Sequence, residues 1–199
     1  MKKERLKISV NPSTVFMLAA IFITRSYIAL AAILAALLHE LSHLTAAKIC
    51  NIPLKELKLG IFGASIIPKA SLCSYKKEII LALSGPISNV ASAILLFFFF
   101  GNKNEILTYF ISASLFLGIL NLLPIYEFDG GRILFCTISL HHSPETALKT
   151  LKSLSFIIIF IFWCLSVYLS LKLSASISLF VFSLALFAKI FLSHAYAWV

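Results

Sequence analysis

SYIALAAILAALLHELSHLTAAKI, residues 26–49, decides the fold. Its first thirteen residues carry no charge. As a helix rising ~1.5 Å per residue the stretch is long enough to cross the ~30 Å hydrocarbon layer of a bilayer. Yet it holds His39, Glu40 and His43, ionisable groups that cost most inside lipid unless they pair or bind something. At 100° per residue His39 and His43 stand nearly one above the other with Glu40 beside them, so two imidazoles can grip one metal ion. Zinc with three protein ligands keeps a fourth position open, brings the pKa of its bound water towards ~7 and needs a carboxylate to take and return the proton. Glu40 is the expected base and acid. A polar cluster making helix–helix hydrogen bonds is the competing reading.

Composition points the same way. The 199 residues are 60% hydrophobic and 13% charged, with mean hydropathy +1.00; soluble domains average about 45–50% apolar and about 25% charged residues. A soluble globular protein is therefore excluded, and an all-α polytopic membrane protein is expected. Windows of about 19 residues give six spans: Ile8 to Thr24, Ser26 to Ile49, Glu78 to Phe100, Glu105 to Leu123, Ser153 to Leu171 and Ser174 to Leu192. The basic start (Lys2, Lys3, Arg5, Lys7) lacks a small-residue cleavage site downstream and is read as the flank of a retained helix.

The net charge of +9 is read first as a topology marker, and no nucleic-acid partner is expected. With the N-terminus in the cytosol, only Arg25, Lys103 and Lys172 of the 17 Lys and Arg fall outside, so both termini are expected in the cytosol. Residues 57–68, LKLGIFGASIIP, mix β-branched residues with glycine and predict a short β-hairpin at the membrane surface. Pro124 to Lys152 is expected to hold a Gly-Gly turn, a short apolar stretch and a polar linker. Cys50, Cys73, Cys136 and Cys164 form no C-x-x-C pair and read as ordinary thiols. No second soluble domain is visible: the chain reads as one membrane-embedded domain, with its core over about 26–132.

A third ligand is sought from the one aspartate in the chain, Asp129, in NLLPIYEFDGGR, residues 121–132. The second and fourth spans both end on the cytosolic side, so His39, His43 and Asp129 can converge in that half of the membrane. Pro124 breaks the preceding helix, and two glycines after the carboxylate permit close backbone approach. An ordinary Asp-Gly turn is the alternative. Glu127 is expected to be an exposed loop carboxylate.

These motifs together resemble the site-2 protease family of intramembrane zinc metalloproteases. The resemblance rests on His39 to His43 in a membrane helix, on Asn121 to Gly131 with its Asn, Leu-Pro and Asp-Gly-Gly, and on Ser84-Gly85-Pro86-Ile87-Ser88-Asn89, which is similar to the family's Gly-Pro-x-x-Asn element. It covers about Ala31 to Arg132. It implies a helix bundle around a buried Zn2+, with His39, His43 and Asp129 as metal ligands, Glu40 as the catalytic glutamate, and a membrane-associated protein substrate cleaved within or beside its membrane segment. Small size and the absence of a PDZ insertion resemble the sporulation branch, which processes pro-sigma-K in the membrane around the forespore. The chain departs from that branch in ending at Val199 without a CBS domain and in carrying Glu127-Phe128 where proline and leucine are common.

Asn89 and Asn121 are amides at or inside spans, suited either to holding the substrate backbone or an oxyanion, or to helix–helix hydrogen bonds. His141 and His142 read as solvated loop residues, and His194 as a helix-end residue. An exposed strand edge around Leu59 to Ile67 is expected to receive the unwound substrate by β-addition. Inhibitory membrane partners are expected to restrain such an enzyme, and a homo-oligomer stays open. A catalytically silent membrane partner with a zinc staple is the alternative class. A zinc transporter fits less well, because deep ionisable groups are confined to one cluster.

Overall fold

The computed structural model describes residues 7–10, 26–52, 54–60, 63–68, 74–101, 104–173, 181 and 184–185. It divides into two compact units, residues 1–122 and 123–199. The first holds β1 (Lys7–Val10), α1 (Tyr27–Ile49), β2 (Leu54–Gly60), β3 (Gly63–Pro68), α2 (Tyr75–Phe100) and α3 (Glu105–Asn121). The second holds α4 (Asp129–Ser139) and α5 (Pro144–Leu173).

The ends of α1 are set by local chemistry. The Ser26 hydroxyl accepts the Ala29 N–H at 3.3 Å as N-cap. At the other end Asn51 takes a left-handed conformation, φ 52°, while Asn51 N–H reaches the Lys48 carbonyl and Ile52 N–H the Ala47 carbonyl. That is a Schellman close, and Ile52 completes it by packing onto Ala46, Ala47 and Leu81. Helix α2 is capped by Ser74 and stops at Gly101, where φ is 57°. Asn104 caps α3 through the Ile106 N–H at 3.0 Å.

Helices α1, α2 and α3 pack against one another. Their inner faces are small or polar: Ala31, Ala35, His39, His43 and Ala47 recur at one-turn spacing on α1, opposite Ala82, Gly85, Asn89 and Ala93 of α2 and Ser114 and Gly118 of α3. The large apolar residues Leu30, Leu34, Leu37 and Leu41 of α1 and Phe97 to Phe100 of α2 face outward. In water this would be inverted; in lipid, where hydrophobicity does not drive helices together, small residues that let backbones approach are what holds them. Helices α1, α2 and α5 are long and apolar enough to cross a membrane, whereas α3, at 17 residues, is shorter.

Four of the expected spans correspond to helices α1, α2, α3 and α5, and the count of six is not reached among the described residues. The expected first span opens in the extended strand β1, and its remainder, 11–24, lies outside the described residues. The expected sixth span lies almost wholly outside them, as do the N-terminal basic cluster, Cys73 and His194. Strand β2 runs parallel to β1 and antiparallel to β3, with Leu57 opposite Ile66 and Lys58 opposite Ser65; Ile61 and Phe62 between them are outside the described residues.

Two expectations for residues 124–152 are corrected. The Gly-Gly pair is helical, not a turn: Gly130 and Gly131 lie in the first turn of α4. The polar linker is the start of α5, because Pro144 occupies its first position, where a missing N–H costs nothing, and the Ser143 hydroxyl accepts the Thr146 N–H at 3.3 Å. In this unit Ile125 and Ile159 form the core, with Leu123, Phe128, Ile158 and Phe162 packed on it.

Candidate metal centre

His39 and His43 are both buried on the inner face of α1, and their Nε2 atoms lie 3.1 Å apart with the rings nearly perpendicular. The Nδ1 of His43 lies 2.7 Å from the Leu81 carbonyl of α2 and 3.1 Å from the Ser84 hydroxyl. A carbonyl only accepts, so His43 Nδ1 carries the ring proton and the neutral ring presents the Nε2 lone pair. The Ser84 hydroxyl donates to the same Leu81 carbonyl at 2.7 Å. Pro86, on the next turn of α2, lacks the N–H that would otherwise serve the Ala82 carbonyl.

Gly85 closes the floor. A β-carbon there would overlap Nε2 of His43 and lie 2.7 Å from Nε2 of His39, so only glycine lets both imidazoles lie against α2. Asn89, one turn further on and 0% exposed, places Nδ2 3.5 Å from His39 Nδ1, while its Oδ1 has no hydrogen-bond partner among the described residues. Glu40 is half-buried, with Oε2 shielded from solvent.

The donor set fits zinc. Two imidazole nitrogens bound tetrahedrally at 2.0–2.1 Å are about 3.3 Å apart, close to the observed Nε2 separation, and one ring is already oriented through its other nitrogen.

In the second unit Asp129 is the first residue of α4 and half-buried, where the helix N-terminus favours a carboxylate. The loop before it is fixed from behind. Buried Ser155 of α5 accepts the Tyr126 N–H at 2.9 Å and donates to the Leu151 carbonyl at 2.7 Å. Gly131 lies so close to the Ile125 carbonyl that a β-carbon would overlap its oxygen. Glu127 is half-buried, not exposed as expected, because this loop folds onto α5.

The remaining candidates fall elsewhere. Asn121 turns its amide onto its own helix, donating to the Leu117 carbonyl at 3.0 Å. His141 and His142 are exposed in the turn after α4. Cys136 is buried, Cys50 half-buried and Cys164 exposed, and none of the three is in a disulfide. Sequence reasoning assigned no role to Leu81, Ser84 or Ser155: a carbonyl carries no side-chain signal, and a serine in an apolar helix looks like any other. Gly85 was legible as part of a motif, but its contact with the imidazoles was not.

Residues 101–165 match the model of Peptidase family M50. No curated protein matches the sequence significantly. Among solved structures the chain is similar to the site-2 protease from Methanocaldococcus jannaschii, with 22% identity and a TM-score of 0.65 over 96% of this chain and 91% of that one. The family match includes Asn121 and Asp129 and leaves out the histidine pair. The chain therefore has the fold of a site-2 protease and, from residue 101 to 165, the sequence signature of Peptidase family M50.

Proposed function

We propose that the chain is an intramembrane zinc endopeptidase of the site-2 protease type, which cleaves a membrane-associated protein within or beside its membrane segment. The observation that carries this is the histidine pair: two buried Nε2 atoms 3.1 Å apart against a glycine floor, one of them fixed as a lone-pair donor by Leu81. The family match and the fold support it. His39 and His43 would hold the ion, with Asp129 as third ligand; Asp129 is the chain's one aspartate and stands in the Asp-Gly-Gly element of the region matched to the family. Bound zinc supplies a Lewis acid that polarises the scissile carbonyl and acidifies a water molecule.

The protein's own residues do the rest. Glu40 takes one proton from the attacking water and returns it to the amide nitrogen as the C–N bond breaks, leaving a carboxylic acid and an amine. Asn121 and Asn89 are candidates for contact with the substrate backbone or oxyanion. A substrate helix must unwind before its peptide bond can be attacked. Strand β3, at the edge of the β1-β2-β3 sheet and packed against α1, offers main-chain partners to the extended segment, with the hairpin at the membrane surface. In this reading the six-span topology leaves both termini in the cytosol. The substrate is a sporulation pro-sigma factor of the sigma-K kind, the membrane is the bacterial cytoplasmic or forespore-surrounding one, and separate inhibitory membrane partners restrain the enzyme.

The test is co-expression with a tagged pro-sigma-K-like protein, comparing wild type with Glu40→Gln and measuring zinc in both. Cleavage by wild type alone, with zinc in both, is the expected result. Zinc in neither protein overturns the metal site; zinc in both with cleavage by neither leaves a structural staple or a different substrate.

A further inference from the structure

We infer that Asn89 is a positioning residue for His39: its side-chain oxygen accepts the His39 Nδ1–H and so fixes the tautomer in which Nε2 is free to bind metal. This rests on the zinc reading above and deepens it.

The two histidines differ in what faces their Nδ1 atoms. His43 has an unambiguous acceptor, the Leu81 carbonyl, at its Nδ1. His39 has the Asn89 amide, with Nδ2 at 3.5 Å. An amide N–H facing Nδ1 requires a lone pair there, which puts the proton of a neutral ring on Nε2, facing His43 Nε2. That arrangement lets the two rings bond to each other and shuts out a cation. A half-turn of the amide about its last bond exchanges oxygen and nitrogen at no steric cost, since the two atoms are nearly the same size. Oδ1, buried and without a partner in the first orientation, then accepts from Nδ1–H. Both Nε2 atoms present lone pairs to one point. The amide orientation and the metal-ready tautomer are therefore a single two-state choice, and bound metal selects the second state. The oxyanion role weighed for Asn89 does not use this contact, because Nδ1 is the ring nitrogen not available to the ion once Nε2 binds it.

The test is zinc affinity, measured by chelator competition on the purified full-length protein in detergent, for wild type, Asn89→Leu and Asn89→Asp. Leucine keeps the bulk and removes the acceptor. A ten- to hundredfold loss of affinity is expected, as for other groups that orient a metal-bound histidine. Aspartate is an acceptor only, so it should restore binding to within about threefold of wild type, which a residue needed as an N–H donor would not do, while a residue needed only for its bulk would be replaced by leucine without loss. Unchanged affinity in the leucine variant, or an aspartate variant no better than leucine, overturns the inference. Failure of wild type to bind zinc overturns the underlying reading instead. If the leucine variant does not fold, the aspartate variant decides alone: weakening of tenfold or more refutes the acceptor role.

Discussion

A β-carbon placed on Gly85 would overlap Nε2 of His43. The same ring is held by its 2.7 Å contact with the Leu81 carbonyl, one turn before Gly85 on α2, so swinging it away from the added carbon would also draw it off that carbonyl. Gly85→Ala should therefore abolish stoichiometric zinc binding. Alanine is also the better helix former by about 1 kcal/mol, so helix content should not fall. Metal analysis alongside circular dichroism checks this: full zinc in the alanine variant would mean that the rings do not need the floor.

His43→Ala and Glu40→Gln should separate binding from chemistry. Losing an imidazole removes a ligand, and zinc should be lost with activity. Glu40→Gln keeps shape and hydrogen bonding but not basicity. It should retain zinc while cleavage falls by about 10²–10⁴, the usual worth of a positioned acid–base group. Equal loss of metal in both variants would move Glu40 from proton transfer to ligation.

Much of this was legible in the sequence, and the limits have physical causes. Ser26 and Ile49 as the limits of the second span and Glu105 as the opening of the fourth were readable because apolar runs are local, and they fall at the ends of α1 and the start of α3. The pairing of His39 with His43 followed from helical spacing alone. What could not be read depends on contacts between elements: the Leu81 carbonyl beneath His43, the orientation of Asn89 towards His39 and the hydroxyl of Ser155 behind Tyr126. The Gly130-Gly131 turn failed because glycine favours both turns and close packing. Here the approach of the Ile125 carbonyl, a tertiary fact, decides between them.

Asn51 closes α1 in the left-handed region, which glycine enters freely and alanine only at a cost of about 1–2 kcal/mol. Asn51→Gly should leave thermal stability in detergent nearly unchanged, and Asn51→Ala should lower it. If alanine is tolerated as well as glycine, the Schellman close does not hold the end of α1.

Ser155 ties the loop before Asp129 to α5, and removing its hydroxyl tests whether that loop must be held. Ser155→Ala takes the hydroxyl from the buried Tyr126 N–H, which should cost about 1–3 kcal/mol. It also frees the Leu151 carbonyl, but a helix carbonyl keeps its own backbone partner, so this change is minor. The loop carries Glu127 and leads into Asp129, the proposed third ligand. Weaker anchoring should therefore lower zinc affinity as well as melting temperature. Ser166→Ala is the control: Ser166 is also buried on α5 and, among the described residues, its hydroxyl bonds the Trp163 carbonyl of its own helix. It should change neither quantity by more than a small amount. A Ser155→Ala protein that melts early but binds zinc as wild type would show that the loop is structural and that the carboxylate finds its place without it.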